Sequence, residues 1–190
     1  FTVTLAADHG TLTVAAGTGV VVAFNGTASV QLSGTASAIN TLLAAANALT
    51  YTPSLNYNGS DTLTMTTSDG GNTGSGGAKT DVDTVAITIA AVNDAPVNTL
   101  PATLTASEDT PMDVTGVRVN DVDSGTGAVT VTLTVLHGTL TANATAAASA
   151  GVSITTNGTA SIQLVGTTTA INTVLATAGG LSYAPALNYN

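Results

Sequence analysis

The sequence predicts an all-β fold built of tandem modules, each with one short helix, and three observations predict it. Apolar residues make up 44% of the chain and are mostly Val, Leu, Ile and Ala, with few aromatics and abundant Thr, a mixture that suits a pleated, half-buried surface. A long block of sequence occurs twice, at a spacing too great for a solenoid turn and suited to a bead with its own core. In both copies an Asn-Gly pair divides two strand-like runs, the strongest short hairpin signal.

The duplication sets the organisation. Residues 20–58 align without gaps on residues 152–190, with 24 of 39 positions identical. The offset there is 132, whereas His9-Gly10-Thr11-Leu12 matches His137-Gly138-Thr139-Leu140 at an offset of 128. The second copy therefore carries four extra residues between these blocks, in or near the Ala/Thr-rich stretch around Asn143 to Ala150.

Taken in order, Val20 to Phe24 and Thr27 to Leu32 form a hairpin about Asn25-Gly26, and Val152 to Thr156 and Thr159 to Leu164 form its copy about Asn157-Gly158. Ile39, Leu42, Leu43 and Ala46 then fall at helical spacing, as do Ile171, Val174, Leu175 and Ala178. This predicts a helix of about three turns, N-capped by Ser or Thr. Strands resume over Asp61 to Thr67 and Val82 to Ala91, around a Gly-rich loop from Asp69 to Gly77. Asn93-Asp94-Ala95-Pro96 breaks the pattern, because proline cannot donate to a ladder. It sets the boundary between a module over 1–94 and another over 95–190. Further strands are expected at Val97 to Thr105, Val114 to Val119 and Ala128 to Leu136. Compared across the duplication, the first module lacks its N-terminal strands and the second its C-terminal ones. The chain thus reads as a window on a longer array whose neighbours complete both.

Charge narrows the partners. Only Lys79 and Arg118 are basic, against ten Asp and one Glu, so nucleic acid and anionic membrane surfaces are repelled. No apolar run approaches the length of a membrane span. Asp residues placed among Gly, Asn and Ser suit loops that hold hard cations through oxygen. The absence of cysteine removes disulfides and thiolate metal sites and fits an exported chain.

Topology places the acidic residues. Antiparallel pairing of Asp61 to Thr67 with Val82 to Ala91 brings Asp61 towards Asn93 and Asp94, and Asp69 towards Asp81 and Asp83 at the other end. In the second module the strand leaving Pro96 runs out to Glu108 and Asp109, and the next returns with Asp121 and Asp123. Asp61, Asn93, Asp94, Asp121 and Asp123 are therefore the expected calcium ligands at the junction, since Ca²⁺ takes about six to eight oxygens and offsets carboxylate repulsion. Asp69, Asp81 and Asp83 form half of an upstream site, and Glu108 and Asp109 half of a downstream one.

Val92-Asn93-Asp94-Ala95-Pro96-Val97, Glu108-Asp109-Thr110-Pro111, Asn120-Asp121-Val122-Asp123-Ser124-Gly125, His137-Gly138-Thr139-Leu140 and the stretch from Leu49 to Asp69 that runs on into Gly70-Gly71 occur in a particular order and spacing. In this the chain resembles the cadherin-like tandem repeats of giant bacterial surface adhesins. The resemblance covers nearly the whole chain. It implies an immunoglobulin-like β-sandwich, calcium between modules, and a long extracellular stalk or adhesive fibre at the bacterial cell surface. The linker is shorter in acidic and amide positions than the cadherin linker.

No catalytic set is expected. His9 and His137 each precede a glycine in a turn, with no nucleophile, base and orienter converging on either. Asn25, Asn58, Asn143 and Asn157 fit the N-glycosylation pattern, two of them in hairpin turns, and Thr-rich strand faces could carry surface glycan. Tyr51, Tyr57, Tyr183 and Tyr189 read as core or corner residues beside Pro53 and Pro185. The expected function is that of a structural or adhesive repeat of a secreted protein, partnered head to tail by neighbouring copies or further modules. The alternative is a glycan-binding module appended to a secreted enzyme, which requires a concave face with clustered aromatics or amides.

Overall fold

The computed structural model describes residues 1–71 and 75–189. These are mostly β, in antiparallel sheets, with three helices. The chain divides into compact units Phe1–Val92 and Asn93–Asn190, so the division falls after Val92 where the sequence expectation put it after Asp94.

The first unit runs β1 (Thr2–Ala6), β2 (Gly10–Val14), β3 (Val20–Ala23), β4 (Ser29–Gly34), α1 (Ala36–Leu43), β5 (Leu49–Pro53), β6 (Gly59–Ser68) and β7 (Thr80–Ile89). One sheet has the order β3-β4-β1-β6-β7, and β2 pairs with β5 in a second. The expected strand pairs form, but the first does not turn tightly about Asn25-Gly26: Val20 lies opposite Gly34 and Ala23 opposite Gln31, with Thr27 bridging to Leu12 instead of pairing in the hairpin, while Gly59 lies opposite Ile89 and Ser68 opposite Thr80. Alternation drives the core. Val3 and Leu5 of β1 and Val30 and Leu32 of β4 meet Leu12 and Val14 of β2, closed over by Ile39 and Leu42 of α1.

The helix begins as the sequence predicts, with the Thr35 hydroxyl accepting the Ala38 N–H at 3.1 Å. It ends at Leu43, short of three turns and of Ala46, where the chain turns towards β5 through Asn47 at φ 60°.

The second unit runs β8 (Val97–Thr99), β9 (Met112–Asp113), β10 (Arg118–Asn120), β11 (Val129–Thr134), β12 (Gly138–Ala142), α2 (Ala144–Ala150), β13 (Ser153–Thr155), β14 (Ser161–Gly166), α3 (Thr168–Ala176) and β15 (Leu181–Pro185). Strands β11 to β15, with α3, repeat β1 to β5 and α1 register for register. Gly138 opposes Pro185 as Gly10 opposes Pro53, and Ser153 opposes Val165 as Val21 opposes Ser33. One short helix per module is corrected here, because this unit has two. The inserted residues form α2, capped by the Asn143 side chain on Ala146 N–H and ended by Gly151 at φ 73°. The N-terminal strands are also shorter than expected. Pro101 follows β8 closely and cannot donate, and Gly116 at φ 79° splits the Val114 to Val119 run between β9 and β10.

Candidate functional site: acidic loops and a buried carboxylate

Asp61 is the third residue of β6 and points into the first unit, where it is 3% exposed and the only buried charged residue described. Its Oδ1 accepts the N–H groups of Asp8 at 3.0 Å and Thr62 at 2.7 Å. Its Oδ2 accepts the His9 N–H at 3.0 Å and the Tyr51 hydroxyl at 2.6 Å. Four donors fill the acceptor positions of a carboxylate. The Tyr51 hydrogen bond, with the three amides beside it, holds Asp61 well below the usual carboxylate range against the opposing pull of burial. Burial, then the Asp61 carboxylate, pushes the Tyr51 phenol up to about 12. The Tyr51 hydroxyl also reaches the His9 carbonyl, and the His9 ring stacks on Tyr57 at 4.1 Å between centroids. Asp61 therefore ties β6 to the β1–β2 turn and to β5. The register puts it opposite Ile87, near the end of the ladder that leads on to Asn93 as expected, but its carboxylate turns inward and is taken up by donors of the first unit.

The second unit repeats part of this knot. Tyr183 donates to the His137 carbonyl and His137 stacks on Tyr189 at 4.1 Å. The glycine after each histidine is required by close approach: a methyl on Gly10 would run into the Tyr51 ring and the Thr52 carbonyl, and one on Gly138 into Tyr183 and the Ala184 carbonyl.

Strands β8 and β10 pair antiparallel with Val97 opposite Asn120, which returns the loop after β10 to the start of the unit. The Asp94 N–H donates to Asp123 Oδ2 at 2.7 Å. Asp121 Oδ1 accepts from Ser124 N–H at 3.1 Å and Asp123 N–H at 3.3 Å. The neighbouring Asp121 side chain, then the Asp94 amide, holds Asp123 below its ordinary range. Asp94, Asp121 and Asp123 are thus brought together by one loop and the segment that opens the unit. Asn93 donates its side-chain amide to the Asp94 carbonyl at 3.0 Å.

The remaining acidic residues have local tasks or stand exposed. Asp69 Oδ1 accepts the Lys79 N–H at 2.8 Å and the Gly71 N–H at 2.9 Å, closing the Gly-rich loop, and these bonds lower its pKa. Part of that loop, 72–74, lies outside the described residues. Asp81 and Asp83 sit exposed on β7 opposite Thr67 and Met65. Asp109, at φ 55°, accepts the Asn188 N–H at 2.8 Å, and the Glu108 carbonyl accepts the Thr110 hydroxyl. Among the described residues no group of three or more His, Asp or Glu side chains is close enough to hold a metal ion by those side chains alone.

Sequence reasoning missed a second class of contacts. The Asn25 side chain spans Val14, accepting its N–H at 2.7 Å and donating to its carbonyl at 2.9 Å. Asn157 does the same to Ala142, and Asn172 to Val119. Each amide stands in for a strand neighbour. Recurrence of Asn25 as Asn157 was the available signal, read only as turn chemistry. With Asn143 capping α2, three of the four glycosylation-pattern asparagines are committed to backbone.

No protein-family model, characterised protein or solved structure matches the chain. Among the described residues no helix is long and apolar enough to cross a membrane.

Proposed function

We propose that this chain is a structural or adhesive repeat of a secreted or cell-surface protein, made of immunoglobulin-like β-sandwich modules of the cadherin-like kind, and that it acts by assembly rather than catalysis. The duplication supports the array, since both copies keep the same strand registers over a core shared by two sheets and a helix.

The observation that carries the calcium part of the reading is the loop after β10, where Asp123 Oδ2 accepts the Asp94 N–H and Asp121 Oδ1 accepts the Asp123 and Ser124 N–H groups. Carboxylates held close together on one loop repel each other, and a cation offsets that repulsion. Among the described residues no Lys or Arg pairs with Asp121 or Asp123. The chemistry of the loop suits a hard, oxygen-seeking ion: Asp121 and Asp123 would supply carboxylates, and backbone carbonyls, the Asn93 amide oxygen and water would complete the shell. A bound calcium ion would supply charge neutralisation and cross-linking of the loop after β10 to the segment entering the unit. Asp61 has its oxygens filled by its own unit and is better assigned to folding. Asp69, Asp81, Asp83, Glu108 and Asp109 belong to the proposal only as parts of sites shared with further modules.

The glycan-binding alternative receives no comparable support, because Tyr57 and Tyr189 are stacked on histidines rather than presented as a platform. The test is hydrogen exchange of the full chain with calcium and with chelator. Chelation is expected to speed exchange at the Asp94, Asp123 and Ser124 amides while leaving far-ultraviolet dichroism unchanged. Identical exchange at these amides in the two conditions refutes the calcium reading.

A further inference from the structure

Asn-Gly occurs at three places in the chain, Asn25-Gly26, Asn58-Gly59 and Asn157-Gly158. The pair carries a chemistry of its own. Glycine has no Cβ to obstruct its amide nitrogen, so that nitrogen can close on the carboxamide carbon of the asparagine before it. Whether it does so depends on whether the fold leaves the carboxamide and the nitrogen free to meet.

At two of the pairs the fold holds them apart. All three asparagines are exposed, so contact with solvent does not separate them; hydrogen bonding does. Asn25 Oδ1 accepts the Val14 N–H at 2.7 Å and its Nδ2 donates to the Val14 carbonyl at 2.9 Å. Asn157 grips Ala142 by the same two bonds, at 2.8 and 2.9 Å. The glycine nitrogens are held as well, since the Gly26 N–H donates to the Leu12 carbonyl and the Gly158 N–H to the Leu140 carbonyl, each at 2.9 Å. Ring closure at either pair has to break all of these bonds at once.

Asn58 differs in each respect. Its side chain makes no hydrogen bond among the described residues. Gly59 stands on the terminal rung of the β6–β7 ladder, opposite Ile89, and terminal rungs fray first. At φ 125° it has open space around it, the Tyr57 hydroxyl lying 3.7 Å from where a methyl would sit. The flanking chain is anchored: the Tyr57 hydroxyl donates to the Ser60 carbonyl at 2.7 Å, and the Tyr57 ring stacks on His9 at 4.1 Å. The main chain is thus held on both sides of a carboxamide that is free to turn.

We propose that Asn58-Gly59 is a self-modifying site, which loses ammonia and takes up water to become an aspartyl or isoaspartyl linkage, while the fold protects the other two pairs. The Gly59 nitrogen bonds to Asn58 Cγ as the Cγ–Nδ2 bond breaks, and the Gly59 amide proton leaves with the departing amine as ammonia. Water then opens the cyclic imide. Attack at Cγ gives an aspartyl residue, and attack at the main-chain carbonyl carbon routes the chain through Cβ and Cγ. No atom changes oxidation state, and water is the only co-reactant. The product adds a negative charge to a chain already at −9, at the entry to β6 just before Asp61. The inference needs neither calcium nor a neighbouring repeat.

The experiment incubates the full chain at mildly alkaline pH and follows each pair by peptide mapping that resolves the asparaginyl, aspartyl and isoaspartyl forms. In the folded chain, conversion at Asn58 is expected to outpace that at Asn25 and Asn157 by about tenfold or more. In denaturing guanidinium the three rates are expected to converge, because the dipeptide is the same and the clamps are gone. Equal rates at the three pairs in the folded chain overturn the proposal. So does a folded-state rate at Asn58 as slow as the other two that rises with theirs on unfolding, because the β6 ladder then protects this pair too.

Discussion

The Tyr51 hydroxyl donates to Asp61 Oδ2 at 2.6 Å, and that bond joins β5 of the two-stranded sheet to β6 of the five-stranded one. A proton held by the phenol and a charge held by the carboxylate are both needed, so acid and base attack the same contact from opposite sides.

The first prediction is a two-sided pH profile for the first unit. Asp61 has a lowered folded pKa, so its contribution is present above the unfolded carboxylate value of about 3.9 and is lost as pH falls through and below it. Tyr51 has a raised one, so its contribution is present below about 10 and is lost as pH rises towards about 12. Melting temperature measured across pH should fall at both ends, and Asp61→Asn should flatten the acid limb in part, Asp69 supplying the rest. An acid limb unchanged by that substitution contradicts the assignment.

Asn25→Ala and Asn157→Ala should each destabilise their own unit by about 1–3 kcal/mol, since each leaves a part-buried N–H and carbonyl of the facing strand without partners. Hydrogen exchange at Val14 and Ala142 should accelerate respectively. Equal exchange in variant and parent would show that solvent replaces the amide at no cost.

Gly10→Ala should lower stability by about 1–3 kcal/mol, because the added methyl meets the Tyr51 ring and a strand carbonyl. Gly26→Ala meets nothing within contact range but sits at φ 81°, so it reports backbone strain alone. Urea melts of the two should place Gly10→Ala as the more damaging.

Asp121→Ala with Asp123→Ala should abolish calcium binding at the loop after β10 while leaving far-ultraviolet dichroism native, because Asp121 and Asp123 lie outside the hydrophobic core of this unit. Calorimetry of the full chain checks this. Undiminished affinity and stoichiometry would remove these residues from the proposed site.

Much of the framework was legible because it repeats. Val20 to Leu32 and Val152 to Leu164 announced their hairpins by alternation and Asn-Gly, and Ile39 and Leu42 their helix by spacing. The strands of the second unit's opening were less legible, since Pro101 and Gly116 break them into pieces too short for periodicity to report. The return of Asp121 and Asp123 towards Asp94 followed from antiparallel pairing alone. The fate of Asp61 did not follow, because facing inward or outward on β6 depends on one residue of register, and its partners come from two other places in the chain, the Asp8-His9 turn and Tyr51.

The inserted helix α2 shows where this architecture is indifferent to length. Between Ala142 and Ser153 the second unit gains residues, yet the β12–β15 and β13–β14 registers match those of β2–β5 and β3–β4. The corresponding Ala15 to Gly19 connection of the first unit is thus a permissive place for foreign sequence. An engineer grafting an epitope or a short helix there would be repeating an operation that the chain has already accepted once.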